Sequence, residues 1–422
     1  MIKNVKGTKD LLPQDSKRWR DIESVLHNFM ELHGYGEIRT PAFEQTELFL
    51  RGIGKETDIV SKEMYSWIDQ GGTHLTLKPE LTAPVVRSYN QHTLKNISPI
   101  TRLYYIDSLF RRERPQKGRL RQFHQFGVEA FGSENPEQDA EVIAMAHKIY
   151  EMFDIKDLSV KINTIGSPEV RENYLLILRE SMENHVDELC STCQTRLGKN
   201  ALRLFDCKNN KCQEVLDEYA PKISDHISDE DKLHFESVLS LLDTMQIPYI
   251  HDKKLVRGLD YYTRTTFEIT STALGSQDAL CGGGRYDKLV EELGGKPTPA
   301  IGFASGIERL MMVLGEDEEP SQIDVFMVIL GENAIAPSLK LADSLRKEKG
   351  IAVMVETLRR SMKAQMKEAN RQNAQFVIII GDNELEKGKA VVKVMESGEQ
   401  MEIPFDEIIS HFQTDEEHSH ND

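Results

Sequence analysis

Residues 110–129 read FRRERPQKGRLRQFHQFGVE, and they place Arg111, Arg112, Arg114, Lys117, Arg119 and Arg121 against only Glu113 and Glu129. The chain around them is acidic, with a formal net charge of -17, so this positive island is a local feature that runs against the composition as a whole. Strand-like runs at 102–110 and 122–131 flank it, which makes it the turn and arms of a hairpin. A fold that accommodates the hairpin must leave the loop open to an anion. Guanidinium forks grip phosphate oxygens in pairs, and Phe123 offers a flat face for a nucleobase. An amphipathic hairpin with a solvated basic edge is the plainer alternative for such a run taken alone.

The chain has 422 residues, too many for one ordinary core, and two or three domains are expected. No apolar run approaches the ~18 residues that span a bilayer, and the start MIKNVKGTKD lacks the apolar stretch of a signal peptide. A cytoplasmic protein is therefore expected. The acidic balance argues against nonspecific DNA coating or membrane adhesion, so nucleic acid has to be met on restricted basic surfaces. Four of the five cysteines, Cys190, Cys193, Cys207 and Cys212, are spaced C-x2-C-x13-C-x4-C. This spacing permits a tetrahedral thiolate zinc site. Four ordinary thiols are the competing reading, since a reducing compartment disfavours disulfides.

Trp19, Ile22, Leu26, Phe29 and Met30 recur at helical spacing, which predicts a helix over 15–33 with Asp15 or Ser16 as its N-cap. Glycines end it, and EIRTP follows as an extended edge segment. Further strands are expected at 75–77, 102–110, 122–131 and 158–162, with a helix at 136–153. Their irregular order predicts an antiparallel α+β sheet. Residues 167–243 turn helical and polar and separate two strand-rich parts, as an insertion does. Strands resume at 265–270 and 300–303, before a helix at 306–314. A charged linker, EDEEPSQ, spans 316–322. Beyond it, βαβαβ order predicts a small α/β domain over 323–413, and the tail 414–422 has almost nothing to bury.

Several short motifs then share one resemblance. EIRTPAFE resembles the dimer-interface motif of class II aminoacyl-tRNA synthetases, FRRERPQKGRLRQF their second motif and GFASGIERL their third. LVRGLDYYTRTTFE and CGGGRYD resemble the two histidine-specific signatures of the histidyl-tRNA synthetase family, and the likeness covers nearly the whole chain in order. It implies a class II α+β catalytic domain over 1–318 with an antiparallel sheet and the 167–243 insertion inside it, followed by an anticodon-binding α/β domain. It also implies ATP-dependent activation of L-histidine with Mg2+, transfer to tRNA-His, and a homodimer that needs neither membrane nor DNA.

The resemblance further implies residue roles. Arg111 and Arg257 would flank the α-phosphate, where attack by a carboxylate brings like charges together and positive groups are needed. Pairing with Asp260 or another carboxylate is the structural alternative for Arg257. Arg119 would hold the γ-phosphate, Phe123 and Arg309 would sandwich adenine, and Glu113 would orient the nucleotide or Mg2+. A neutral imidazole carries one donor and one acceptor. Glu129 and Tyr262 would satisfy them, with Tyr261 and Tyr286 nearby and Glu80, Thr82 and Gln125 around the α-amino group. Gly282, Gly283 and Gly284 would let substrate approach backbone. Arg114, Gln116 and Lys117 would meet the acceptor end of the tRNA. Arg359, Arg360, Lys363, Lys367 and Arg371, read as one helix, would follow a phosphate backbone, or simply form a solvated face.

The sequence departs from the usual bacterial R-P-E-G-T by having Lys78-Pro79-Glu80-Leu81-Thr82, and Asp107-Ser108-Leu109 also differs from the usual lead into the second motif. Leu81 would strain the site if the backbone there needed a positive φ. The rival reading is the non-catalytic, histidine-sensing relative that partners ATP phosphoribosyltransferase. That relative lacks the anticodon-binding domain, whereas this chain has the C-terminal α/β pattern. A synthetase for proline, threonine or glycine would leave LVRGLDYYT and GGGRYD unexplained.

Overall fold

A computed structural model describes residues 1–54, 57, 59–116, 118–274, 279–315 and 323–412. The linker 316–322, the tail 414–422 and Lys117 lie outside the described residues. The chain forms two units, one made of residues 1–11 and 19–316 and the other of residues 12–18 and 317–422.

The larger unit is built on an eight-stranded sheet. Its six central strands, Thr101–Phe110, Gln122–Phe131, Ala300–Gly306, Ala279–Arg285, Thr263–Ser271 and Leu158–Thr164, pair antiparallel in that order. Short strands pair parallel at both edges, Gly36–Glu37 on one side and Tyr249–His251 on the other. The period of two sorts the side chains. Along Gln122–Phe131 the alternate residues Phe126, Val128 and Ala130 enter an apolar core with Ile301, Phe303, Phe267 and Ile269. Helix Pro136–Met152 supplies Val142, Ile143, Met145, Ile149 and Tyr150 to the same core.

The first helix also packs there through Trp19, Ile22, Leu26, Phe29 and Met30. It runs Pro13–Leu32, so it starts before the expected caps Asp15 and Ser16. Proline suits the first turn, where its missing N–H costs no helical bond. Residues 168–244 form four helices, Pro168–Met182, Ser191–Lys199, Asn210–Tyr219 and Asp229–Thr244, with short 3-10 turns between them.

The second unit holds a five-stranded sheet. Ile323–Leu330, Val353–Val355 and Ala374–Gly381 are parallel neighbours, joined by helices Ile335–Lys349 and Met362–Arg371. Two further strands, Lys389–Val394 and Gln400–Pro404, extend the sheet antiparallel and went unread in the sequence. No described helix is long and apolar enough to cross a membrane.

Candidate active site

The other face of the central sheet carries the site. Phe123, Gln125, Gly127 and Glu129 fall two residues apart on one strand, so all four share that face. Register places Gly302 opposite Glu129 and Gly127 opposite both Ala304 and Tyr105, while Gly282 and Gly284 pair with Ala304 and Gly302. Small residues therefore floor this face, and the space they leave is the cavity. A Cβ at Gly302 would lie 1.9 Å from Glu129 Oε2, and one at Gly282 would lie 1.7 Å from Arg257 Nη2. The expected role of the glycine run needs correcting in part. Gly282 makes room for the Arg257 guanidinium, while Gly283 faces the Gly302 carbonyl and the Phe267 ring.

An inner cavity of about 210 Å³ is lined by Glu80, Thr82, Arg111, Gln125, Glu129, Arg257, Tyr261, Tyr262 and Tyr286. Its polar groups hold one another. Glu129 accepts hydrogen bonds from Tyr286 Oη at 2.5 Å, Thr82 Oγ1 at 2.8 Å and Tyr105 Oη at 3.2 Å. Glu80 accepts from the backbone N–H groups of Thr82 and Ala83, 2.8 and 2.9 Å away, at the start of helix Thr82–Gln91. Burial dominates both carboxyls despite these donors and pushes Glu129 up to about 8 and Glu80 up to about 7. Burial likewise raises Tyr262 to about 12 and holds Tyr286 and Tyr261 far above the ordinary phenol range.

The phenols that touch Glu129 are those of Tyr286 and Tyr105, whereas Tyr262 lines the cavity beside Arg257. Tyr105 was missed in the sequence. Its signal was the strand alternation that sets it across from Gly127, whose missing side chain leaves room for the phenol.

An outer cavity of about 250 Å³ is lined by Glu63, Arg111, Glu113, Arg119, Phe123, Gln125, Arg257, Glu308 and Arg309. Here arginines line the walls. Arg257 pairs with Glu268, Arg119 with Glu113 at 3.2 Å, and Arg309 donates to the Ala279 carbonyl. Arg111 donates to the Pro79 carbonyl at 2.8 Å, and its guanidinium carbon lies 5.2 Å from the Phe123 ring centre. Arg257 thus has a carboxylate partner, Glu268 rather than Asp260, and still lines both cavities. Glu268 closes the LVRGLDYYTRTTFE signature but was given no role in the sequence. Arg111, Gln125, Arg257, Gly282 and Ala304 belong to both cavities, so the two are continuous. Arg114 and Gln116 lie exposed beyond them, where Gln116 and Arg119 close a tight turn.

The two departures around Glu80 resolve each other. Leu81 has φ -112° and ψ -20°, an ordinary conformation for leucine, and is buried in the core, so the strain that a positive φ would bring does not arise. Lys78 is 1% exposed, and its ammonium donates to Asp107 Oδ2 at 2.5 Å and to the Thr40 carbonyl at 3.0 Å. Lys78 and Asp107, which belong to the two departures noted in the sequence, thus form one pair with the lysine buried.

In the second unit Arg359 and Arg360 precede the helix rather than belonging to it, since the helix is Met362–Arg371. Arg360 bridges Glu356 and Glu368, Arg371 pairs with Glu368, and Arg359 pairs with Glu332. A cavity of about 470 Å³ in this unit is lined by Gly331, Glu332, Glu356, Arg359 and Arg360 among others.

An antiparallel sheet with a cavity on one face, a basic hairpin at its mouth and a separate α/β unit define a class II aminoacyl-tRNA synthetase. Residues 7–310 match the family model described as Histidyl-tRNA synthetase, and residues 324–415 match that of an anticodon binding domain. The histidine--tRNA ligase of Halothermothrix orenii is 49% identical, over 98% of this chain and 99% of its own length. That of Caldanaerobacter subterraneus is 46% identical over 97% and 98%. The crystal structure of apo S. aureus histidyl-tRNA synthetase matches with a TM-score of 0.82 and 41% identity, covering 98% of this chain and all of that one. The chain belongs to the histidyl-tRNA synthetase family.

Proposed function

We propose that this protein activates L-histidine with ATP and transfers it to the 3' end of tRNA-His, releasing pyrophosphate and then AMP. One observation carries the reading: Arg111 and Arg257 stand where a carboxylate- and phenol-lined cavity opens into an arginine-lined one. Histidine bound in the inner cavity would offer its imidazole to Glu129 and the surrounding tyrosines, and its ammonium to Glu80, Thr82 and Gln125. ATP in the outer cavity would stack adenine between Phe123 and Arg309 and set its γ-phosphate on Arg119.

The histidine carboxylate then attacks the α-phosphorus, and the bond to the bridging oxygen breaks as pyrophosphate leaves. Arg111 and Arg257 would neutralise the charge that builds between carboxylate and phosphate. Glu113, a carboxylate of the outer cavity, would help hold Mg2+ against the triphosphate, where the ion screens the leaving group's charge. In the second step a terminal hydroxyl of the tRNA attacks the activated carbonyl, and AMP departs. Arg114, Gln116 and Lys117 would guide the acceptor end, and residues 323–413 would read the anticodon. A homodimer through the segment after the first helix, working in the cytosol, completes the reading.

A pocket that satisfies both ring nitrogens rejects analogues lacking them by ~10^4-fold or more, so no editing site is required. The match of residues 324–415 to an anticodon binding domain weighs against the regulatory relative. Pyrophosphate exchange across all twenty amino acids, followed by charging of total tRNA, tests the proposal. Exchange with histidine alone and subsequent charging are expected; histidine binding without exchange would return the chain to the regulatory reading.

A further inference from the structure

Outside both cavities, one cluster in the helical segment has no part in the reaction. Cys190 lies just before helix Ser191–Lys199 and Cys193 in its first turn, while Cys207 precedes helix Asn210–Tyr219 and Cys212 lies in its first turn. The four Sγ atoms all lie within 4.8 Å of one another, and Cys190 Sγ and Cys207 Sγ are 3.9 Å apart. Zinc at about 2.3 Å from each of four tetrahedral thiolates puts the sulfurs about 3.8 Å apart, so the cluster needs only a slight contraction to hold one. None of the four is in a disulfide. Backbone N–H groups already point at sulfur, from Cys190 to Cys212 Sγ at 3.2 Å and from Asn209 to Cys207 Sγ at 3.5 Å, as thiolates require when their charge is partly buried.

We propose that Cys190, Cys193, Cys207 and Cys212 bind a structural zinc ion, and that this knuckle braces the 254–262 loop, which carries Arg257, Tyr261 and Tyr262. The helices that carry the thiols are short, and their Leu189, Leu197, Leu202, Leu204, Val215 and Leu216 join a core that continues to Tyr261 and Tyr262. A metal crosslink would tie the two short helices that carry the thiols to one another. Two contacts reach from this module to the loop. Asn200, which follows the first of these helices, donates to Asp260, and Lys254 pairs with Asp217 of the second at 2.5 Å. Nothing in the chemistry of histidine activation calls for this metal, so the proposal stands or falls apart from the proposed reaction.

Full-length protein, purified under reducing conditions without chelator, should contain one zinc per chain by mass spectrometry. Metal-free protein titrated with Co2+ should develop intense thiolate-to-cobalt charge-transfer absorption. Cys190→Ser and Cys212→Ser should lose the zinc while Cys281→Ser keeps it. Absence of zinc together with absence of the cobalt bands overturns the site, and the wild-type titration decides this even if the serine variants fail to fold. Removing the metal should speed hydrogen exchange across residues 254–262 by tenfold or more; unchanged exchange there would overturn the bracing role.

Discussion

The inner and outer cavities meet at Arg111 and Arg257, yet they prepare for their ligands in opposite ways. In the inner one, Glu129 is tied by Tyr286, Thr82 and Tyr105, and Glu80 by two backbone N–H groups. Burial still leaves both carboxyls reluctant to ionise, at about 8 and about 7. In the outer one arginines face carboxylates and backbone carbonyls, as Arg257 does Glu268, Arg119 Glu113 and Arg111 the Pro79 carbonyl. A small neutral ring is selected by donors and acceptors fixed in advance, because a misplaced partner inside leaves a buried polar group unsatisfied. A polyphosphate is bound by charge, which tolerates looser geometry. On the proposed function, selection would lie with the inner cavity and rate with the arginines.

The sharpest way to break that division is Arg257→Ala. Histidine-dependent pyrophosphate exchange should fall by about 10^2- to 10^3-fold or more while histidine binding by calorimetry changes little. Near-normal exchange would take Arg257 out of the chemistry and leave it as the partner of Glu268. Glu129→Gln probes the other side: the KM for histidine should rise roughly 30- to 150-fold, from a loss of about 2 to 3 kcal/mol, with the KM for ATP steady. A parallel rise in both constants would mean that the two cavities do not divide the work.

Tyr286→Phe removes one donor to Glu129 and should weaken histidine binding by about 1 to 2 kcal/mol. Tyr262→Phe should do less, since Glu129 draws its phenol bonds from Tyr286 and Tyr105; a larger loss at Tyr262 would reverse the order of the tyrosines. Phe123→Leu, on the nucleotide side, should raise the KM for ATP by roughly fivefold through lost stacking, about 1 kcal/mol.

The carboxyls add a pH signature. Both fold into environments that raise them from the ordinary 4.5, so the folded protein binds more protons than the unfolded chain between about 4.5 and about 8. Their contribution to stability is accordingly present at low pH and lost as pH rises through that window. The histidine ammonium should favour the ionised form of Glu80, which it faces in the proposed complex, so binding near pH 7 should release protons. Calorimetry in two buffers of different ionisation heat would detect this, and zero release would mean that Glu80 is already charged in the free protein.

Much of this protein was legible in its residues. Periodicity located the first helix, the long strands and the parallel α/β order of the second unit, since apolar spacing reports which face is buried. The basic hairpin, LVRGLDYYT and GGGRYD carried the candidate site because their chemistry is local. What needed the tertiary structure was every relation across distance. Glu268 became the partner of Arg257, Tyr105 joined Glu129 opposite a glycine, and Lys78 found Asp107. The strain expected at Leu81 depended on a backbone angle that no residue name supplies. Arg360 and Arg371, which read as a basic face, turned out to be held by Glu368. A sequence fixes what each side chain can offer, through its charge, donors, acceptors and spacing. Which offers are taken depends on strand register and helix packing, which bring together groups such as Arg257 and Glu268, Tyr105 and Glu129, or Lys78 and Asp107, 11, 24 and 29 residues apart in the chain.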